Sequence, residues 1–194
     1  MQYELLNIEP LYRGFFALNR FRLRFEHYAG GWSPEISREI FERGHAVAVL
    51  PFDPKRREVV MIEQFRPGAL EAPGGPWLTE IVAGMIEPEE TVESVARREM
   101  VEESGLEPVR LIPITRYWVS PGGTTESIYL YLALIDKAPT DIFFGLPEEH
   151  EDIKLHTMSL DEALARVDSG AICSAAPIIA LQWLDRHLSQ FCDE

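Results

Sequence analysis

The chain has 194 residues, of which 46% are hydrophobic and 10% aromatic, enough for one catalytic-sized domain with a real core and a small appendage. Its formal net charge is −14, without a cluster of Lys and Arg, which argues against a nucleic-acid partner because binding phosphates by counterion release requires a positive surface. Cys173 and Cys192 show no metal-ligand spacing and make no disulfide framework. With no signal-like start and no apolar run near the roughly 18 residues of a membrane span, we expect a cytoplasmic protein without a membrane partner.

The first part of the chain is typical of strands. Residues 21–27 alternate between apolar and polar side chains, the pattern of a half-buried strand. Gly30 and Gly31 predict a turn. Residues 36–43 fit another strand, although their apolar spacing also fits a helix. We therefore expect a strand-rich appendage over residues 1–44.

The middle of the chain predicts a hairpin and a long loop. Residues 45–52 and 58–65 are largely apolar, and turn residues at 53–55 separate them, which favours two paired strands. Residues 67–76 are rich in Gly and Pro and predict a loop. A short strand is expected at 78–83.

The rest of the chain alternates between helices and strands. We expect a helix at 91–104, strands at 127–135 and 153–158, and an acidic loop at 148–152. Towards the C-terminus, Ser159 and Glu162 have the spacing of a capping box, Gly170 is placed to end that helix, and Pro177 suits the first turn of a last helix. The whole predicts an α/β protein with a mixed sheet between helices.

The helix at 91–104 carries carboxylates where apolar side chains are expected. At about 100° per residue, Glu99 and Glu103 fall in the middle of its apolar arc, and Glu102 lies at the edge. Inward-facing carboxylates without partners lose several kcal/mol of hydration each. A divalent cation such as Mg²⁺, which prefers hard oxygen ligands, would resolve this conflict. Taken alone, the helix also fits a solvated surface helix with ordinary ion pairs, such as Arg98 with Glu102. The arc itself consists of Val92, Val95, Ala96 and Met100.

The residues around this helix decide between the two interpretations. The run GMIEPEETVESVARREMVEESGL, residues 84–106, has a Gly, five residues, a Glu, seven residues, Arg-Glu, an apolar residue, any residue, Glu-Glu, any residue, Gly and an apolar residue. Every fixed position of the Nudix box is matched, so the chain resembles the Nudix hydrolases.

Further motifs resemble those of bacterial ADP-ribose pyrophosphatases within that superfamily, from about Leu11 to Trp183. Pro121, sixteen residues after Gly105, is similar to the proline that marks the ADP-ribose subgroup. The other motifs are LYRGFF at 11–16, REIFERGH at 38–45, IEQFR at 62–66, SPGGT at 120–124 with Glu126, and EHEDI at 149–153.

The resemblance implies a Nudix α/β/α sandwich at 45–194, preceded by a β-rich dimerisation segment at 1–44. It implies a homodimer whose N-terminal strands cross to the partner, and a site built from both subunits. The implied reaction is metal-dependent hydrolysis of the pyrophosphate of ADP-ribose to AMP and ribose 5-phosphate.

The resemblance also implies a metal site and a substrate site, position by position. Glu99, Glu103, Glu151 and the Ala83 carbonyl would bind Mg²⁺, with Mn²⁺ as an alternative, and Glu102 would be a ligand or would orient one. Glu149 matches the catalytic base. The substrate residues would be Arg38 and Arg66 at the pyrophosphate or adenine end, Glu126 at the terminal ribose, and Phe15 of the partner subunit stacked on adenine.

Two features depart from the family pattern. The loop after Arg66 is unusually rich in Pro and Gly, and His150 lies between the two loop glutamates, where it could compete as the base. From the residues alone, Arg38 and Arg66 also fit ordinary surface ion pairs, Phe15 also fits a core position, and the acidic loop also fits a solvated turn.

The sequence also allows alternatives to hydrolysis of ADP-ribose. A pyrophosphatase for another nucleoside diphosphate sugar, such as GDP-mannose, is the nearest alternative. A non-catalytic ADP-ribose sensor is disfavoured because Glu99, Glu102 and Glu103 are all present. RNA decapping is disfavoured by the acidic charge.

Overall fold

The computed structural model describes residues 1–137, 139, 142–146 and 150–191. Within this part of the chain, no helix combines the length and the apolar character needed to cross a membrane. Contacts divide the chain into two units. The first unit consists of Met1–His45 and Trp118–Ser127, and the second of Ala46–Tyr117 and Ile128–Glu194.

The first unit is built on a three-stranded antiparallel sheet in the order β1-β2-β3. β1 is Tyr3–Arg13, β2 is Ala17–Phe25 and β3 is Ile36–Glu42. The strands predicted at 21–27 and 36–43 are thereby confirmed in type, and the helical alternative for the second is wrong. The sequence pattern does not distinguish β1 as a separate strand.

The two faces of this sheet differ in chemistry. On one face, arginines of β2 pair with acidic residues of the neighbouring strands: Arg24 Nε lies 2.7 Å from Glu4 Oε2, and Arg20 Nη1 lies 3.3 Å from Glu9 Oε2. On the other face, Phe21 lies directly opposite Arg38 of β3. The charged face and the face carrying Arg38 are therefore separated by the alternation of the strands.

The second unit contains an eight-stranded sheet and three α-helices among the described residues. The sheet runs β10-β11-β5-β4-β9-β8, with β6 paired to β5 and β7 paired to β4. β4 and β9 are parallel, whereas β4 with β5 and β5 with β11 are antiparallel, so the sheet is mixed. The strands are β4 Ala46–Asp53, β5 Glu58–Phe65, β6 Trp77–Glu80, β7 Val82–Met85, β8 Arg110–Trp118, β9 Ser127–Leu134, β10 Phe143–Phe144 and β11 Ile153–Ser159. The helices are α1 Val92–Ser104, α2 Leu160–Asp168 and α3 Ala175–His187.

The sheet of the second unit has a core on each face. All eight residues of β4 are buried, as expected for a strand covered on both sides. Leu50 packs in the core that contains Leu181 of α3, while Val49 packs in the core that contains Met100 of α1. The predicted α/β sandwich with a mixed sheet is confirmed, and the N-terminal strands form the additional sheet.

Two predictions for the middle of the chain need correction. The hairpin at 45–65 pairs only at its tip, where Phe52 faces Val59 and Asp53 faces Glu58. The single strand expected at 78–83 is wrong, because the chain forms two strands interrupted at Ile81. β6 pairs along β5, and β7 pairs along β4, so each strand of the hairpin receives its own neighbour.

Candidate active site

The carboxylate of Glu103 is enclosed between helix α1 and strand β7. Its residue is 2% exposed, and its Oε2 accepts a hydrogen bond of 2.9 Å from the backbone N–H of Ala83. Burial raises the pKa of Glu103 well above its ordinary value, the Ala83 bond opposes the shift, and Glu99 and Glu151 raise the pKa further. The sequence prediction that Glu103 faces inward is confirmed.

Glu99 lies against the one residue of β7 that has no side chain. A Cβ atom built on Gly84 would lie 1.7 Å from Glu99 Oε1 and 2.0 Å from its carboxyl carbon. Any side chain at position 84 would therefore displace this carboxylate. Burial raises the pKa of Glu99, Arg98 opposes the shift, and Glu102 and Glu151 add to it.

Arg98 binds three carboxylates, one before α1 and two within it. Its Nη1 lies 2.8 Å from Glu99 Oε1 and 2.9 Å from Glu102 Oε2, and its Nε lies 3.2 Å from Glu90 Oε1. Burial alone would lower the pKa of Arg98, but these partners raise it above its ordinary value. The sequence suggested the pair with Glu102 but not the link to Glu90 and Glu99, although all of these positions belong to the recognised box.

The acidic residues of this region offer the ligand type that a divalent cation takes, although the described side chains do not converge on one point. Glu99 and Glu151 both raise the pKa of Glu103, so the three carboxylates lie within electrostatic range, and a cation would offset their repulsion. Carboxylate oxygens are the hard ligands that Mg²⁺ and Mn²⁺ take. In the described ranges, no three His, Cys, Asp or Glu side chains converge closely enough to hold a metal ion, and Arg98 binds Glu99 and Glu102 instead.

Glu151 lies shortly before β11. Its backbone N–H donates to the Leu146 carbonyl at 3.2 Å, and a Cβ on Gly145 would come within 2.8 Å of the Glu151 Cβ. The base predicted from the sequence, Glu149, lies outside the described residues. His150 has a φ of 57°, in the left-handed region.

Arg66 follows directly after β5 and is held by an acidic residue of β6. Its Nε lies 2.6 Å from Glu80 Oε2. Arg66 also lowers the pKa of Glu103, which places its charge within electrostatic range of the carboxylates. The sequence predicted Arg66 as a site residue, but nothing in the pattern identified Glu80.

The three other predicted substrate residues lie in the first unit. Arg38 is exposed, and its Nη1 donates to the Ser37 carbonyl at 2.8 Å. Phe15 is 89% exposed, so the alternative that it belongs to the core is wrong. Glu126 is buried, and its Oε1 lies 3.5 Å from Nε of Arg43, a partner that the sequence did not indicate.

A cavity of about 320 Å³ opens within the first unit. Phe21, which lies opposite Arg38 in the sheet, forms part of its wall. Pro121, the position similar to the subgroup proline, forms another part. The complete lining is Phe21, Ile40, Trp118, Pro121, Thr124 and Thr125, which combines apolar surface with two hydroxyl groups.

Comparison with known proteins adds three kinds of similarity. The family model described as NUDIX domain matches residues 42–175. An ADP-ribose pyrophosphatase of Escherichia coli (strain K12) is 48% identical over 184 residues, which cover 95% of this chain and 88% of that protein. A GDP-mannose pyrophosphatase of Cronobacter sakazakii is 34% identical over 185 residues, 92% of this chain and 95% of that protein. A crystal structure of an ADP compounds hydrolase aligns with a TM-score of 0.74 at 20% identity, over 98% of this chain and 96% of that chain, which shows the fold.

Replacing Gly84 by Ala tests whether Glu99 is a metal ligand. The added methyl group would displace the Glu99 carboxylate, which is the end of a flexible side chain, so we expect the protein to fold. Affinity for Mn²⁺, measured from the electron paramagnetic resonance of the free ion, should fall at least about tenfold. Gly74→Ala is the matched control, because a Cβ there meets no atom within 4 Å. Equal affinity in the two variants would exclude Glu99 from the metal site.

Proposed function

This chain belongs to the Nudix family, and we propose that it hydrolyses the pyrophosphate of ADP-ribose to AMP and ribose 5-phosphate. The inward-facing carboxylates of α1, with Glu103 bound to the backbone of β7 and Glu99 seated on Gly84, carry the assignment to metal-dependent hydrolysis. The choice of ADP-ribose is supported by the 48% identity to an ADP-ribose pyrophosphatase across nearly the whole chain.

Nudix hydrolases use divalent metal ions, and we propose Mg²⁺ here, with Mn²⁺ as an alternative. Glu99, Glu103, Glu151 and the Ala83 carbonyl would hold the ion, and Glu102 would serve as a ligand or orient one. When bound, the ion would activate water and neutralise charge on the phosphoryl oxygens. Arg98, which already binds Glu99 and Glu102, fixes the direction of these two carboxylates.

The remaining residues of the proposed site bind the substrate and move the proton. Arg66 and Arg38 would hold the pyrophosphate or adenine end, and Glu126 the terminal ribose. Phe15 of the partner subunit would stack on adenine, which its exposure permits. Glu149 would take the proton from the attacking water.

We propose a homodimer in which residues 1–44 form the dimerisation segment. β1 exposes several large apolar side chains, and exposed apolar surface of this kind is typical of an interaction site. These side chains are Tyr3, Leu5, Leu6, Ile8 and Tyr12.

We further propose a cytoplasmic location, because a reducing compartment maintains the free, exposed thiol of Cys173.

Hydrolysis of GDP-mannose is the second candidate, supported by the 34% identical relative that carries that name. For this substrate, the proposed substrate residues Arg38, Glu126 and Phe15 would have to accept a different base and sugar. Both activities break the same pyrophosphate bond, so the metal site does not discriminate between them.

Incubation with ADP-ribose, with and without Mg²⁺, tests the proposed reaction. We expect AMP and ribose 5-phosphate, resolved by ion-exchange chromatography, only when the metal is present. Chelation of the metal should stop turnover.

Glu103→Gln keeps an oxygen for the Ala83 N–H but loses the charge, and turnover should fall more than about a hundredfold with the fold retained. Near-normal activity of this variant would show that the metal site is wrong, and a clear preference for GDP-mannose would replace the proposed substrate.

Glu149→Gln tests the proposed base. Loss of general-base catalysis should lower kcat by about 10²- to 10⁴-fold with little change in KM for ADP-ribose. The companion variant His150→Gln should keep near-normal kcat. A raised KM alone in Glu149→Gln would make Glu149 a binding residue, and a collapse of kcat in His150→Gln would transfer the base to His150.

Light scattering tests the dimer. The mass should be twice the 22.1 kDa of one chain. The double variant Leu6→Asp, Ile8→Asp places two charges on the exposed apolar strand and should yield monomers with a raised KM for ADP-ribose, because Phe15 would no longer reach the partner's site. Val109→Asp, at an exposed apolar position of the second unit, should remain dimeric. A monomeric wild-type protein with full activity would refute the shared site.

A further inference from the structure

We infer that Glu80 and Ser174 form a positioning network that sets the direction of the Arg66 guanidinium. The inference rests on the proposed function in one respect, namely that Arg66 meets the pyrophosphate of the substrate. The network joins the end of β5, strand β6 and the start of helix α3, all within the second unit.

The first link is the pair between Arg66 and Glu80. Arg66 Nε donates to Glu80 Oε2 at 2.6 Å, a short charge-assisted bond. The Glu80 side chain is 16% exposed and the Arg66 side chain 41%, so the carboxylate is the inner member. Because the guanidinium is planar, a bond that fixes its Nε edge also fixes the direction of the terminal amino groups.

The second link is the hydroxyl of Ser174, which donates to the other carboxylate oxygen, Oε1 of Glu80, at 2.9 Å. Glu80 is thus held at both oxygens by residues from two different elements. Such a carboxylate has little rotational freedom left, which makes it a rigid support for Arg66.

The Ser174 hydroxyl bonds to Glu80 instead of capping the N-terminus of helix α3. It occupies the N-cap position of α3, where a serine side chain ordinarily accepts a bond from a backbone N–H of the first turn. Thr91 and Ser159 make this bond at the N-termini of α1 and α2, whereas Ser174 makes no side-chain cap bond. The hydroxyl is directed at Glu80 instead, ninety-four residues away in sequence.

These observations assign Glu80 and Ser174 a role in orienting Arg66 that is separable from stability. Arg66 acts on Glu103 electrostatically, so its charge lies near the proposed metal ligands. A guanidinium held by Nε presents its Nη groups to an anion without a search among side-chain conformations, which lowers the ordering needed on binding.

Ser174→Ala is the central variant, and Ser159→Ala is its matched control. Ser174→Ala should raise KM for ADP-ribose about two- to tenfold, the effect of one lost hydrogen bond, with Tm nearly unchanged. Ser174→Thr retains the hydroxyl and should restore the wild-type KM. Ser159→Ala removes a real helix cap and should lower Tm without changing KM.

A double-mutant cycle separates positioning from general structural support. In the Arg66→Ala background, Ser174→Ala should cause no further rise in KM, because the group it orients is gone. Independent, additive effects of the two substitutions would overturn the inference. So would a Ser174→Ala variant that loses Tm as Ser159→Ala does while its KM stays unchanged.

A spectroscopic readout keeps the network testable without turnover. The Nε–H resonance of Arg66, identified by its loss in Arg66→Lys, should be sharp and protected from exchange in the wild type, and broadened in Ser174→Ala. If wild-type protein does not hydrolyse ADP-ribose but the resonance behaves in this way, the proposed substrate fails and the network stands. An unprotected Arg66 resonance in active wild-type protein would refute the network alone.

Discussion

The buried carboxylate of Glu103 constrains the architecture around it. A carboxylate in such a place must find a partner or lose its charge, and here one backbone N–H of β7 supplies the bond. That bond fixes the distance between α1 and β7, which leaves room for Glu99 only because Gly84 has no Cβ. Helix α1, strand β7 and Gly84 together therefore accommodate two carboxylates inside the protein.

Two arginines offset this negative charge, and both are held in place by ion pairs. Arg98 binds Glu90, Glu99 and Glu102, and Arg66 binds Glu80. In a chain with a net charge of −14, both of these cations are paired with carboxylates, which keeps them in place. The field around the proposed metal site is thereby set before any ligand arrives, as electrostatic preorganisation requires.

Most of the secondary structure can be predicted from local sequence patterns. The features that cannot be predicted depend on contacts between residues far apart in the chain. The α1 helix follows from the apolar spacing around Met100, the Thr91 cap and Gly105, which adopts φ 64°. Nothing near Ile81 signals that the chain changes from β5 to β4 as its neighbour, so the two strands there were predicted as one. Likewise, the bond between Ser174 and Glu80 joins residues that no periodicity relates, and the exposure of Phe15 depends on surroundings that sequence does not contain.

The reaction is easier to assign from the sequence than the substrate, because different residues determine the two. The reaction depends on the box, and the choice of substrate depends on residues outside it. In the proposed reaction, the carboxylates of α1 hold the metal ion that acts on a pyrophosphate, which ADP-ribose and GDP-mannose share, so their pattern identifies the reaction and not the compound. In the proposed site, discrimination falls to residues outside the box: Arg66, with its support from Ser174, and the first-unit residues Arg38, Glu126 and Phe15. Relatives of both names align along nearly the whole chain. A change of substrate would therefore require changes outside α1 and β7, with Glu103 and Gly84 kept as they are.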